Sequence, residues 1–208
     1  MEDEAHPTWT EGLEKVIAKE GEQSEALFWL HHHSAAWAAK RNDWLQIPSI
    51  CIATITGFFS ATSELVPPVA IGALSVFVGI LGTITSYYKF SQRAEGHRIA
   101  SLLYLKTYKR IETELSLPIS QRTDAELLLK ELREEMSRVS ETAPIIPEAI
   151  IARFKVEFKD GITSRPIIAN GLDAIKIFKE PPRTPTPARQ VSLPATPEHS
   201  TVRVGIVV

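Results

Sequence analysis

From Trp44 to Tyr88 the chain carries a single charged residue, Glu64, and hydrophobic residues there run on with no polar face. The stretch divides into 20 uncharged residues, Trp44 to Ser63, and 24, Leu65 to Tyr88. A helix rises about 1.5 Å per residue, so each run matches a hydrocarbon core of roughly 30 Å. The pattern predicts two spanning helices, about 45–63 and 67–88, joined by the turn SELVPP. Glu64 is tolerable at an interfacial turn and costly at mid-bilayer. Pro67 and Pro68 suit the first turn of the second helix, where a missing N–H is no loss. The first run also holds Gln46, Thr54, Thr56, Ser60, Thr62 and Ser63, so a helical hairpin buried in a soluble core is the competing reading.

Within the runs, small residues recur every four positions. Ser49, Ala53, Gly57 and Ala61 line one face of the first, and Ser75, Gly79 and Thr83 one face of the second. Such faces let backbones approach closely, either within the hairpin or between neighbouring copies.

Outside the runs the pattern becomes periodic. Leu27, Leu30, Ser34 and Trp37 predict a helix over about 22–43 that enters the first span, preceded by a shorter one over about 10–19. Phe90, Ala94, His97, Ser101, Tyr104, Tyr108, Ile111 and Leu115 alternate steps of four and three, a coiled-coil-like seam on a helix over 89–116 continuing from the second span. Thr123 and Glu126 read as a capping box opening a helix over 124–142, with Ala125, Leu128, Leu129, Leu132, Met136 and Val139 on one face. Pro144 and Pro147 end it. A last short helix, about 148–158, carries Ile150, Phe154 and Phe158 on one side. The fold class expected is all-α: a two-span transmembrane hairpin with a cytoplasmic helical bundle and an extended Pro-rich C-terminal tail.

Charge supplies the direction. Lys40 and Arg41 precede the first run and Lys89 and Arg93 follow the second, while the connecting turn has no base. The positive-inside rule then places both termini in the cytoplasm, with Trp37, Trp44, Tyr87 and Tyr88 at that boundary. The first 43 residues hold nine acids and four bases, residues 89–160 balance thirteen bases with twelve acids, and the whole chain nets -2. No block is basic enough for a nucleic-acid partner. Cys51, the lone cysteine, excludes an intrachain disulfide, and the acidic N-terminus MEDEAHPTW resembles neither a cleaved signal nor a transit peptide.

Candidate chemistry is sparse. His31, His32 and His33 are consecutive, and successive helical residues point about 100° apart, so all three cannot hold one metal. His97 lies on the apolar seam beside Glu95. His31 and His97 are the candidate pH-sensitive groups, because histidine titrates near neutrality. No phosphate loop, Cys/His framework or nucleophile elbow is present, so no catalytic, cofactor-binding or metal-binding residue is assigned and an enzyme is not expected. Glu64 is either a solubilising turn charge or one member of a ring at the outer mouth of an oligomeric pore.

The tail, 181–208, follows a connecting segment at 161–180. Residues 181–200 hold six of the chain's 14 prolines and read as an extended, disordered linker. Thr184, Thr186 and Thr196 each precede proline and are candidate phosphorylation sites. The end, TVRVGIVV, is β-prone and could be captured by a protein partner.

The stretches HHHSAAWAAKRNDWLQIPSICIATITG, KFSQRAEGHRIASLLYLKTYKRIETEL and APIIPEAII, in this order, resemble the SLATT family of two-helix membrane effector domains. The resemblance covers roughly residues 20–158, so 1–21 is an acidic arm and 22–160 the SLATT-like domain. What the resemblance implies is a protein that oligomerises in the lipid bilayer and perturbs it as a pore in a conflict or cell-death response. The tail beyond Asp160 and the lack of a fused sensor or nucleotide-generating domain depart from the family pattern. Two other classes are a membrane-anchored scaffold of a cellular or viral assembly, tethered through its tail, and a soluble helical adaptor.

Overall fold

A computed structural model of the chain describes residues 9–61, 66–159 and 166–170, all within one compact unit, Met1–Asp173. The elements are α1 (Glu11–Ala61), α2 (Pro68–Tyr88), α3 (Phe90–Ser116), a short 3₁₀ turn (Ile119–Gln121), α4 (Ala125–Thr142), α5 (Glu148–Glu157) and α6 (Ile167–Asn170). Among the described residues the fold is all-helical, and two of its helices are long and apolar enough to cross a membrane. Glu64, the tail and its three threonines lie outside the described residues.

Two helices expected separately in the N-terminal third are one. α1 runs 51 residues without a break, through Gly21 and through Pro48. Gly21 survives in mid-helix because Ile111 of α3 presses on it: a Cβ there would lie 3.0 Å from Ile111 Cγ2. The opposite correction applies at residue 89, where one helix was expected and two occur. Lys89 adopts φ 50 and ψ 40, the left-handed conformation, ending α2 and starting α3. This costs a residue with a Cβ about 1 kcal/mol. Phe90 beyond the joint is buried, stacked on Tyr88 at 5.3 Å between ring centres and edge-on to Trp37 at 6.5 Å.

The expected capping box is also displaced. Thr123 stands one residue ahead of the cap and is held by Glu114, its amide donating to Oε2 (3.1 Å) and its hydroxyl to Oε1 (2.8 Å). Asp124 takes the position, accepting the Leu127 amide at 2.9 Å. A carboxylate at a helix N-terminus also meets the positive end of the dipole.

Away from the apolar helices, α1 packs along α3, with α4 and α5 closing the sides around three clusters. Ile17, Ile111, Ala125, Leu128 and Leu132 fill the end remote from the apolar pair. Ala100, Tyr104 and Val139 occupy the middle. Leu30, Ile146, Ile150 and Phe154 sit nearest the join, with Trp29 edge-on to Phe154. Arg122 clasps the remote end: half-buried beside the Trp9 ring, it donates to Glu14 and to the carbonyls of Leu115 and Leu117.

Candidate functional site

The three sequence stretches set apart above meet in space. His31 of α1 and His97 of α3, 66 residues apart, place their Nδ1 atoms 2.9 Å from each other inside the bundle. One ring must carry its proton on Nδ1 and the other present a lone pair there. Tyr104, one helical repeat along α3, stacks on His31 at 5.6 Å. One residue before His97, Gly96 faces the third stretch, and a Cβ on it would lie 2.7 Å from Pro144 Cγ. A groove of about 450 Å³ opens beside the pair and is lined by Leu27, His31, Tyr104, Pro144, Ile145 and Ile146, among others.

Burial acts on the pair. His31 is 3% exposed and His97 2%. Desolvation, then the facing His97, lowers His31 from 6.5 to about 4. His97 is lowered by desolvation and then by Arg93, and burial raises the Tyr104 phenol. The neighbouring histidines have other surroundings. His32 is exposed, while His33 stacks on Trp29 at 3.8 Å with Nδ1 3.0 Å from the Trp29 carbonyl oxygen.

The rest of the predicted seam divides. Phe90, Tyr104 and Ile111 are buried with His97, whereas Ala94, Tyr108 and Leu115 are half-buried. Ala100 and Thr107, not on the seam as read, are buried as well, so the contact face is broader than a coiled-coil stripe.

In the apolar pair, Pro67 and Pro68 stand at the start of α2, where the Pro67 carbonyl accepts the Ala70 amide at 3.0 Å. The small-residue ladders do not interlock. Ala53, Gly57, Ala61, Ser75, Gly79 and Thr83 are exposed and Ser49 half-buried. A Cβ on Gly57 or Gly79 would meet nothing within 4 Å. Ala53, Gly57 and Ser75 instead line an open groove of about 340 Å³ with Thr56, Ser60 and Ile71. Thr56 is the one buried residue of α1 beyond Ala38, and its hydroxyl has no hydrogen-bond partner among the described residues. Thr54, Ser75, Thr83 and Thr85 each donate to the carbonyl four residues back. Sequence reasoning passed over Thr56, Gly96 and Pro144 as contact points; a glycine inside a helical pattern was the available signal for Gly96.

Compared with protein-family models, with curated proteins and with solved structures, the chain matches none.

Proposed function

We propose that the chain is an integral membrane effector whose hairpin assembles with further copies in the bilayer and perturbs it, as a pore or by local disruption. One observation carries this reading. In the most apolar stretch of α1 only 6% of residues are buried, and in that of α2 none. A soluble protein covers such helices with its own core, because exposed apolar area costs about 25 cal/mol per Å² in water. Here Ile50, Ile55, Phe58, Val76, Phe77 and Ile80 all stand open on the outside, each at 49% exposure or more. Lipid and neighbouring copies are the two coverings that fit an apolar surface closed on itself by backbone hydrogen bonds. The bases flanking the runs put α3, α4 and both chain ends on the cytoplasmic side.

Assembly between copies is supported by the ladders. Glycine in a helix facing lipid gains nothing from its missing side chain, whereas against another helix it allows close approach. A Cβ on Gly57 or Gly79 would meet nothing within 4 Å among the described residues, which leaves room for a second helix at these positions. The resemblance to SLATT proteins agrees with this reading and rests on the residues quoted for it.

The test is dye release from liposomes containing the purified full-length chain, across protein-to-lipid ratios. Release that rises with ratio and falls with Gly57→Leu or Gly79→Leu is expected. Membrane insertion with intact vesicles at every ratio would defeat the effector reading and favour a scaffold. A chain left in the supernatant after membranes are pelleted would defeat insertion itself.

A further inference from the structure

We infer that the His31–His97 pair is an acid-sensitive lock between α1 and α3, and that its release regulates the membrane activity proposed above, on which the regulatory half of this inference rests. The lock joins the two helices that lead into the apolar pair. α1 is continuous from His31 to Ala61, and α3 begins at Phe90, seven residues before His97, behind the left-handed Lys89 joint. A bond across α1 and α3 at this level adds to the apolar packing of the two helices close to the single-residue joint at Lys89, and its loss weakens the hold on α3 where that joint can hinge.

The proton inventory defines the device. In the neutral pair, one ring donates Nδ1–H to the bare Nδ1 of the other. A first added proton goes to Nε2 of the donating ring and leaves that bond intact. A second has only the accepting Nδ1 to occupy, and then two N–H groups face each other across 2.9 Å and the bond is lost. The pair therefore tolerates one proton and breaks on two.

The surroundings offer no counter-charge. From α3 the groups acting on the pair are Arg93, a cation, and Tyr104; Glu95 is exposed and bound to Arg98. α4 turns Met136, Ser137 and Ser140 toward the adjoining groove, the segment 143–146 contributes Ala-Pro-Ile-Ile, and Gln23 and Leu27 come from α1. α5 faces α1 with Ile150 and Phe154 while Glu148, Arg153, Lys155 and Glu157 are exposed. No carboxylate lines the groove among the described residues. An imidazolium formed here would be buried without an anion, and burial holds both rings below the ordinary histidine range. The sign follows: the neutral pair contributes its full stability above the ordinary value of 6.5, and loses it as pH falls from 6.5 through about 4.

The experiment uses the full chain in liposomes, with Cys51→Ser and spin labels on cysteines replacing the exposed Ala36 and Gln92, which flank the pair on α1 and α3. One narrow distance is expected at pH 7.5, and loss of that component at pH 3.5, below the value of about 4 for His31. His97→Gln and His31→Gln each leave one ring that, once protonated, still donates to an amide oxygen, so both should keep the narrow distance at pH 3.5. A wild-type distance unchanged between the two pH values overturns the lock, and so does the same loss in the glutamine variants. If neither variant inserts, ring nitrogen shifts of the wild type decide: two rings titrating near 6.5 overturn the lock, and rings still neutral at pH 5 support it. Dye release recorded on the same samples separates the two proposals. Opening in acid without release leaves the lock standing and counts against the pore, whereas release without opening does the reverse.

Discussion

Alanine at Gly96 sets two measurable effects against each other. In a helix interior, glycine to alanine stabilises by about 1 kcal/mol, because the unfolded glycine has more backbone freedom to lose. At this position the new Cβ would lie 2.7 Å from Pro144 Cγ and 3.2 Å from Cδ. Real Cβ atoms do not approach so closely, so either α3 or the 143–147 segment has to move, and overpacking of this kind costs about 1–3 kcal/mol. Pro144 cannot swing aside as a flexible side chain would, and Ile146 next to it is 5% exposed and anchored on Leu30, Ile150 and Phe154. The clash should therefore exceed the helix gain, for a net loss of up to about 2 kcal/mol. Gly21→Ala is the graded comparison: its Cβ would meet the Ile111 Cγ2 methyl at 3.0 Å, a contact that a shift of a few tenths of an ångström relieves. Denaturant titration of helical circular dichroism in detergent micelles should rank the chains wild type and Gly21→Ala together, with Gly96→Ala clearly below. Pro144→Ala in the Gly96→Ala background should restore part of the loss, since it deletes both ring atoms in contact, giving a coupling of about 1 kcal/mol in a double-mutant cycle. A Gly96→Ala chain more stable than wild type, with no coupling to Pro144, would refute the docking of the 143–147 segment on α3.

Thr56→Val exchanges a buried hydroxyl without a partner for a methyl of the same shape, and should stabilise the apolar pair by about 1 kcal/mol, read from the denaturant midpoint in micelles. Asp124→Ala removes the cap on α4 and should cost about 1 kcal/mol, whereas Thr123→Val should act through Glu114 and leave the α4 amides as protected from hydrogen exchange as before. Acid should weaken the bundle in proportion to the His31 shift. A fall from 6.5 to about 4 at about 1.36 kcal/mol per unit sets a ceiling near 3 kcal/mol, lost between those pH values and largely absent in His31→Gln. Equal stability of the wild type at pH 7 and pH 4 would contradict the burial of that ring.

Periodicity in the sequence identifies which residues share a face, and where the partner is another helix of the same bundle it also identifies the core. Leu128 and Leu132 on α4, Ile150 and Phe154 on α5 and Ile111 on α3 are buried as their spacing requires. Contacts between distant residues are a different matter. Both His31 and His97 stand out in the chain, one for its run of three and the other for its place on an apolar seam, yet nothing in their spacing brings their rings together. Gly96 and Pro144 are likewise visible as a helix glycine and a stop signal, and their mutual contact is decided by how α4 returns along α3. Local signals also lose to stronger neighbours: Thr123 has the sequence of a cap, but its side chain turns to the Glu114 carboxylate, and Asp124 one residue on accepts the Leu127 amide.

The apolar pair shows what a pattern leaves open even when it is read along the right helix. The ladder Ser49, Ala53, Gly57 and Ala61 was a candidate for packing the hairpin on itself. α1 instead turns Thr56 inward, flanked by the half-buried Ile52 and Phe59, a stripe one residue earlier than the ladder and so rotated from it by about 100°. Ala53 and Gly57 border an open groove that α1 shares with Ile71, Ser75 and Val78 of α2, so these small residues do not bring the two backbones into close contact. Had the ladder packed tightly on α2, the glycines would be accounted for by the hairpin and no second copy would be called for. With open space where their Cβ atoms would stand, Gly57 and Gly79 make no close contact across this hairpin. A leucine at Gly79, which does not line that groove, is therefore the cleaner perturbation: it should leave the isolated hairpin folded, and whatever it removes from membrane activity belongs to contacts between copies.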